Sequence, residues 1–98
     1  MRGCGIALMP AREVTVCNEL GMHARAASRL VDCANRFTAE VNISYRGKSV
    51  NGKSIMGVLM IAAARGATIR LETDGDDGDV ALQALCELVE SGFGENSE

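Results

Sequence analysis

Aromatic side chains are nearly missing from this chain: one Tyr, two Phe and no Trp among 98 residues. A core built from it must be aliphatic, and the stacking platforms that hold single-stranded nucleic acid are not there. A net basic charge is missing too. The formal charge of −3 and the pI near 5.1 argue against a nucleic-acid partner, although one face can still be locally basic. No apolar run reaches the length of a bilayer span, and the short one near the start (residues 5–9) is too short for a signal peptide. Gly stands at position 3 and not at 2, which excludes myristoylation. The four cysteines, Cys4, Cys17, Cys33 and Cys86, contain no C-x-x-C pair. With one histidine in the chain they make no zinc set, and they are read as reduced cytosolic thiols that serve as small apolar residues.

What the chain does have is periodicity. Val14 and Val16 alternate in "REVTVCN", a half-buried strand. Ala27, Leu30, Val31 and Ala34 recur at i, i+3, i+4, i+7, with Arg29, Asp32 and Arg36 outside the stripe, which is the pattern of an amphipathic helix. Ala39, Val41, Ile43 and Tyr45 alternate again, and Arg46-Gly47 turns the chain into a short strand, "KSVN". An almost wholly apolar run over residues 55–64 reads as a second helix, stopped at Arg65-Gly66. Val58 and Ile61 are its core residues, but a helix with no polar face must also expose apolar ones. Ile69 and Leu71 point inward from a fourth strand, and "DGDDGD" is a turn and cap cluster. Leu82, Leu85, Cys86 and Val89 mark a third helix that ends at Gly92.

The order is β-α-β-β-α-β-α. Helices with one apolar side on a small sheet give a two-layer α+β fold: an open-faced β-sandwich, with a four-stranded antiparallel sheet and three helices on one face. Residues 11–98 are expected to form this single domain. Residues 1–10 are expected to be a disordered extension, with Met9 a candidate start.

Gly47, Gly52, Lys53 and Ser54 match G-x-x-x-x-G-K-S, the pattern of a nucleotide-binding P-loop. That site needs a parallel sheet covered on both faces and a later carboxylate for Mg²⁺. The chain is too short for such a sheet, and no apolar strand ends in a suitable Asp. Nucleotide hydrolysis is set aside. Ser54 is instead read as the N-cap of the second helix.

The single histidine, His23, comes directly before the first helix, at its N-cap or in its first turn. Unpaired N–H groups and a partial positive charge there make an anion site. Arg25 lies close enough to add a charge-assisted donor. A positive helix end disfavours imidazolium, and a neutral imidazole is a nucleophile. The arrangement can accept a phosphoryl group, with N–H groups and Arg25 holding its oxygens. A lone His-x-Arg is, on its own, more often a simple helix cap.

Two motifs outweigh that simple cap. "GMHARAASRLV" resembles the active-site motif of the HPr family, the histidine-containing phosphocarriers of the bacterial phosphoenolpyruvate-dependent phosphotransferase system. "VNGKSIMGVLMIAAARGATIRL" resembles the family's second motif, around its regulatory serine. The likeness stays in register over residues 13–95. It implies that His23 takes a phosphoryl group on Nδ1 from phosphorylated Enzyme I and passes it to the A domain of an Enzyme II, with Arg25 as the active-site arginine. It implies that Ser54 is a target of HPr kinase/phosphorylase, and that Ile55, Met56 and Leu59 are a docking surface. Ala24, Arg29 and Lys53 are expected to join that surface, giving it a basic rim suited to acidic partners. Ala26 departs from the family, which usually has proline there. The expected protein is a cytoplasmic monomer with no metal, no dissociable cofactor, no nucleic acid and no membrane insertion. A nitrogen-type regulatory carrier not coupled to sugar uptake, and a small ligand-binding module of the same fold, are the alternatives.

Overall fold

The computed structural model of the chain describes residues 10–61 and 63–97, and turns each alternating stretch into a strand. Strands β1 (Ala11–Thr15), β2 (Glu40–Tyr45), β3 (Lys48–Asn51) and β4 (Thr68–Asp74) form one sheet in the order β1-β4-β2-β3. Every neighbouring pair is antiparallel. Period-two burial then fixes the register. Val14 lies opposite Ile69, Leu71 opposite Ile43, and Ile43 opposite Val50, which lines up the inner-face residues of all four strands. Outward positions carry Glu13, Thr15, Thr68 and Arg70, exposed as one solvated sheet face requires. The expected order and the open-faced sandwich are both found. The extension expected over residues 1–10 lies outside the described residues, apart from Pro10, whose carbonyl accepts the Thr73 N–H at 3.0 Å.

Helices α1 (Ala24–Ala34), α2 (Ile55–Ile61) and α3 (Gly78–Glu90) cover the inner face. The α1 stripe of Ala27, Leu30, Val31 and Ala34 is buried as its period predicts, together with Ala26 and Cys33. Helix α2 is described over Ile55–Ile61, and residues 63 and 64, expected to belong to it, lie outside the helix. The Ala63 carbonyl instead accepts the Met22 N–H at 2.8 Å, a partner from another part of the chain.

Two further expectations need correcting. The core is not wholly aliphatic, because Phe93 heads the largest fully buried side chains. Gly92 and Gly94, both at positive φ (72° and 77°), allow the chain to fold back after α3 and carry Phe93 (φ 58°) inward. Nor is every cysteine mere filler. Cys33 and Cys86 are buried, and burial pushes both thiols up. The half-buried Cys17 instead donates its S–H to the carbonyls of Val89 and Glu90, at 3.5 and 3.3 Å, in the last turn of α3.

The acidic turn before α3 works across the fold. Asp77 sits at the N-cap of α3 but makes no side-chain cap there. Its carboxylate accepts the N–H groups of Thr38 and Ala39, at 2.9 and 2.8 Å, and so fixes the loop between α1 and β2.

Candidate functional site

His23 is the N-cap of α1. Its backbone is extended (φ −96°, ψ −177°), and its carbonyl accepts the Ala27 N–H at 2.8 Å, the first bond of the helix. The side chain turns back onto the helix end, where Nδ1 accepts the Arg25 N–H at 3.3 Å. A neutral imidazole accepts only at its unprotonated nitrogen, so this hydrogen bond puts the lone pair on Nδ1 and the proton on Nε2. The N–H groups of Ala24 and Ala26 belong to the same first turn, beyond reach of any helical carbonyl. His23 is half-buried, Ala24 and Arg25 are exposed, and Ala26 is fully buried.

The loop that delivers His23 is held from below. The Gly21 N–H donates to the Asn18 carbonyl at 3.1 Å, and the His23 N–H donates to the Gly21 carbonyl at 3.0 Å. The Met22 N–H on Ala63 ties this loop to the end of α2.

Ser54 caps α2 as its residue type predicts, accepting the Gly57 N–H at 3.2 Å. It does not lie beside His23. Lys53 Nζ donates to the Phe37 carbonyl at 2.8 Å, just past the C-terminal end of α1. Helices α1 and α2 therefore run in opposite directions, with His23 at one end of the pair and Ser54 at the other. An α1 of 11 residues separates those ends by about 16 Å.

The expected basic rim is likewise spread out. Arg25 stands at the His23 end and Lys53 at the Ser54 end. The guanidinium of Arg29 donates to the Phe93 carbonyl, on the side of α1 that faces α3. What links the two ends is apolar: Ile55 and Met56 are exposed, the latter at 71%, and Leu59 is half-buried. Met60, one helical turn beyond Met56 and exposed at 69%, extends this strip. Leu20, exposed at 72%, stands three residues before His23. Neither was singled out in the sequence. Met60 sits at i+4 from Met56, but an all-apolar run gives no sign of which side faces water. Val58 and Ile61 are buried as expected.

The P-loop letters are dispersed by the fold. Gly47 lies in the β2–β3 hairpin turn, Gly52 donates its N–H to the Val41 carbonyl at 2.8 Å, and the Lys53 ammonium is engaged at Phe37. Among the described residues, no group of three or more His, Cys, Asp or Glu side chains is placed to hold a metal ion. No helix among them is long and apolar enough to cross a membrane.

Chemically, the α1 end combines a nucleophilic nitrogen with anion donors, on an open-faced α+β domain: the equipment of a protein that carries a small oxyanion covalently. Comparison with known proteins agrees. The family model described as the PTS HPr component phosphorylation site matches residues 10–91. A phosphocarrier protein HPr from Xylella fastidiosa is 46% identical over 91% of this chain and 100% of its own length. A phosphocarrier protein NPr from Shewanella violacea is 45% identical over 88% of this chain and 94% of its own. The crystal structure of HPr-C-His from Thermoanaerobacter tengcongensis superposes with a TM-score of 0.87 at 36% identity, covering 90% of this chain and 99% of that one. The chain belongs to the PTS-HPr family, the phosphocarriers of the phosphotransferase system, and is a carrier of phosphoryl groups, not an enzyme.

Proposed function

We propose that this phosphocarrier takes a phosphoryl group from phosphorylated Enzyme I onto Nδ1 of His23, and passes it to the A domain of an Enzyme II in the cytoplasm. The observation that carries the reading is the direction of the ring. Nδ1 faces the Arg25 N–H at 3.3 Å, so its lone pair lies on the anion-binding side of the helix end. In the transfer this lone pair attacks phosphorus. The N–P bond forms while the bond from phosphorus to the donor breaks, and that electron pair leaves with the donor. The three phosphoryl oxygens then meet the first-turn N–H groups and the Arg25 guanidinium, which disperse their charge without a metal. Delivery to the Enzyme IIA is the same step with His23 as the leaving group.

Ala24, Arg25 and the strip of Ile55, Met56, Leu59 and Met60 make the face that meets both partners, with Arg29 and Lys53 at its borders. An apolar centre with charged borders suits transient docking of an acidic surface by a monomer. Ser54, at the far end of the strip, is the regulatory position, modified by an HPr kinase/phosphorylase. A phosphate there is electrostatically welcome to α2 and unwelcome to an acidic partner. The NPr-named relative, as similar as the HPr-named one, supports a nitrogen-type regulatory carrier as the second reading.

Incubation with Enzyme I and phosphoenolpyruvate tests the assignment. It should give acid-labile phosphate that is lost in His23→Ala, while the variant stays folded. Acid-stable label, or label retained by His23→Ala, contradicts it. Offering the phosphorylated chain to sugar-type and nitrogen-type Enzyme IIA separates the two branches.

A further inference from the structure

We infer that Asn18 is a positioning residue for His23, acting through the Gly21 carbonyl. The inference rests on His23 as the phosphoryl acceptor. Asn18 is 0% exposed, and with Thr73 it makes up the buried polar side chains among the described residues. A buried amide needs a partner to offset its desolvation. Its Nδ2 donates to the Gly21 carbonyl at 2.8 Å. That same oxygen accepts the backbone N–H of His23 at 3.0 Å. One acceptor thus receives both the buried amide and the N-cap residue.

The acceptor has little room to move. Gly21 is at φ +68°, and a Cβ on it would lie 2.7 Å from the Ala63 carbonyl oxygen, so its backbone lies flat against residues 63–64. Met22, next in the chain, is buried and donates its N–H to Ala63. The Asn18 amide sets the plane of the Gly21 peptide, and that peptide holds the His23 N–H. The extended backbone of His23 that results directs Nδ1 to the Arg25 N–H. Thr73, the other buried polar residue, donates its hydroxyl to the Gly78 carbonyl at the start of α3, remote from this loop.

The test compares Asn18→Ala with Ile43→Val, a mild core truncation on β2. Two quantities are read: the His23 ring-nitrogen resonances of the unphosphorylated protein, and its rate of phosphorylation by Enzyme I and phosphoenolpyruvate. Asn18→Ala should shift the ring resonances and slow phosphorylation about tenfold. Ile43→Val should lose stability and change neither. If Asn18→Ala does not fold, Asn18→Ser is read by the same two measures and should show the same changes. Wild-type resonances and rate in a folded Asn18 variant overturn the inference. The ring resonances need no phosphate, so the two readings fail separately. Shifted resonances in a protein that never takes phosphate leave the positioning intact and sink the carrier assignment. Unmoved resonances in a chain that takes phosphate normally do the reverse.

Discussion

At position 23 a 3.3 Å contact leaves the lone pair on Nδ1, the nitrogen proposed as the nucleophile. The Arg25 backbone makes that contact, so the Arg25 side chain is free for a separate task. If its guanidinium holds phosphoryl oxygens, Arg25→Ala should slow transfer by ten- to a hundredfold, the equivalent of roughly 1.5–3 kcal/mol for a charge-assisted bond realised in the transition state. Thermal stability should be unchanged, because the side chain is exposed. A variant as fast as the wild type would show that backbone donors suffice. At Ser54 the observed cap and the proposed regulation can be separated. Ser54→Ala removes the oxygen that accepts the Gly57 N–H, and should cost about 1 kcal/mol of stability with phosphorylation at His23 unaffected. Ser54→Asp should fold normally yet be phosphorylated by Enzyme I much more slowly, and more so at low salt. Equal rates for Ser54→Asp and wild type at low salt would leave Ser54 a cap and nothing more.

Among the elements, α1 was the most legible from sequence, because its apolar stripe repeats at the helical period and its cap residue stands directly before it. The end of α2 was not legible. Residues 62–64 continue the apolar run, yet the Ala63 carbonyl is bound to the Met22 N–H, a contact between distant parts of the chain that no local pattern shows. Phe93 escaped for another reason: one aromatic between two glycines has no period to reveal which way it faces. Asn18, for its part, looks like an ordinary loop residue until its burial is known. The turn into α3 reads correctly as acidic but not as a clamp on another loop. The Thr38 N–H is the main cause that holds the Asp77 carboxyl below its ordinary value of 3.8, with the Ala39 N–H acting in the same direction. A carboxyl lowered in the folded state stabilises fully above that ordinary value, and its contribution is lost as pH falls through the folded-state value. Asp77→Asn should therefore be less stable than wild type at neutral pH, with the difference shrinking in strong acid. Urea unfolding at both pH values measures it. A gap that stays constant would show that the Thr38–Ala39 clamp does not depend on charge.

For the whole molecule, antiparallel packing of α1 and α2 puts His23, the proposed acceptor, at one end of the pair and Ser54, the proposed regulatory position, at the other. The Ile55, Met56 and Met60 strip spans the interval. The letters G-K-S could not announce this by themselves. Their meaning depends on the sheet beneath them, and an antiparallel sheet with one open face has no place for a nucleotide. The net charge of −3 coexists with the acceptor site proposed at a helix N-terminus beside Arg25, and a total says little about one end of a domain. The central claim is that His23 carries the phosphoryl group on Nδ1, within the donors of α1. The most direct test is nuclear magnetic resonance of the chain phosphorylated by Enzyme I and phosphoenolpyruvate, correlating phosphorus with the ring nitrogens. The account predicts coupling to Nδ1 of His23, together with a shifted Arg25 amide as its bond to the ring is replaced by one to a phosphoryl oxygen. Coupling to Nε2, or phosphorus on any other residue, would contradict it.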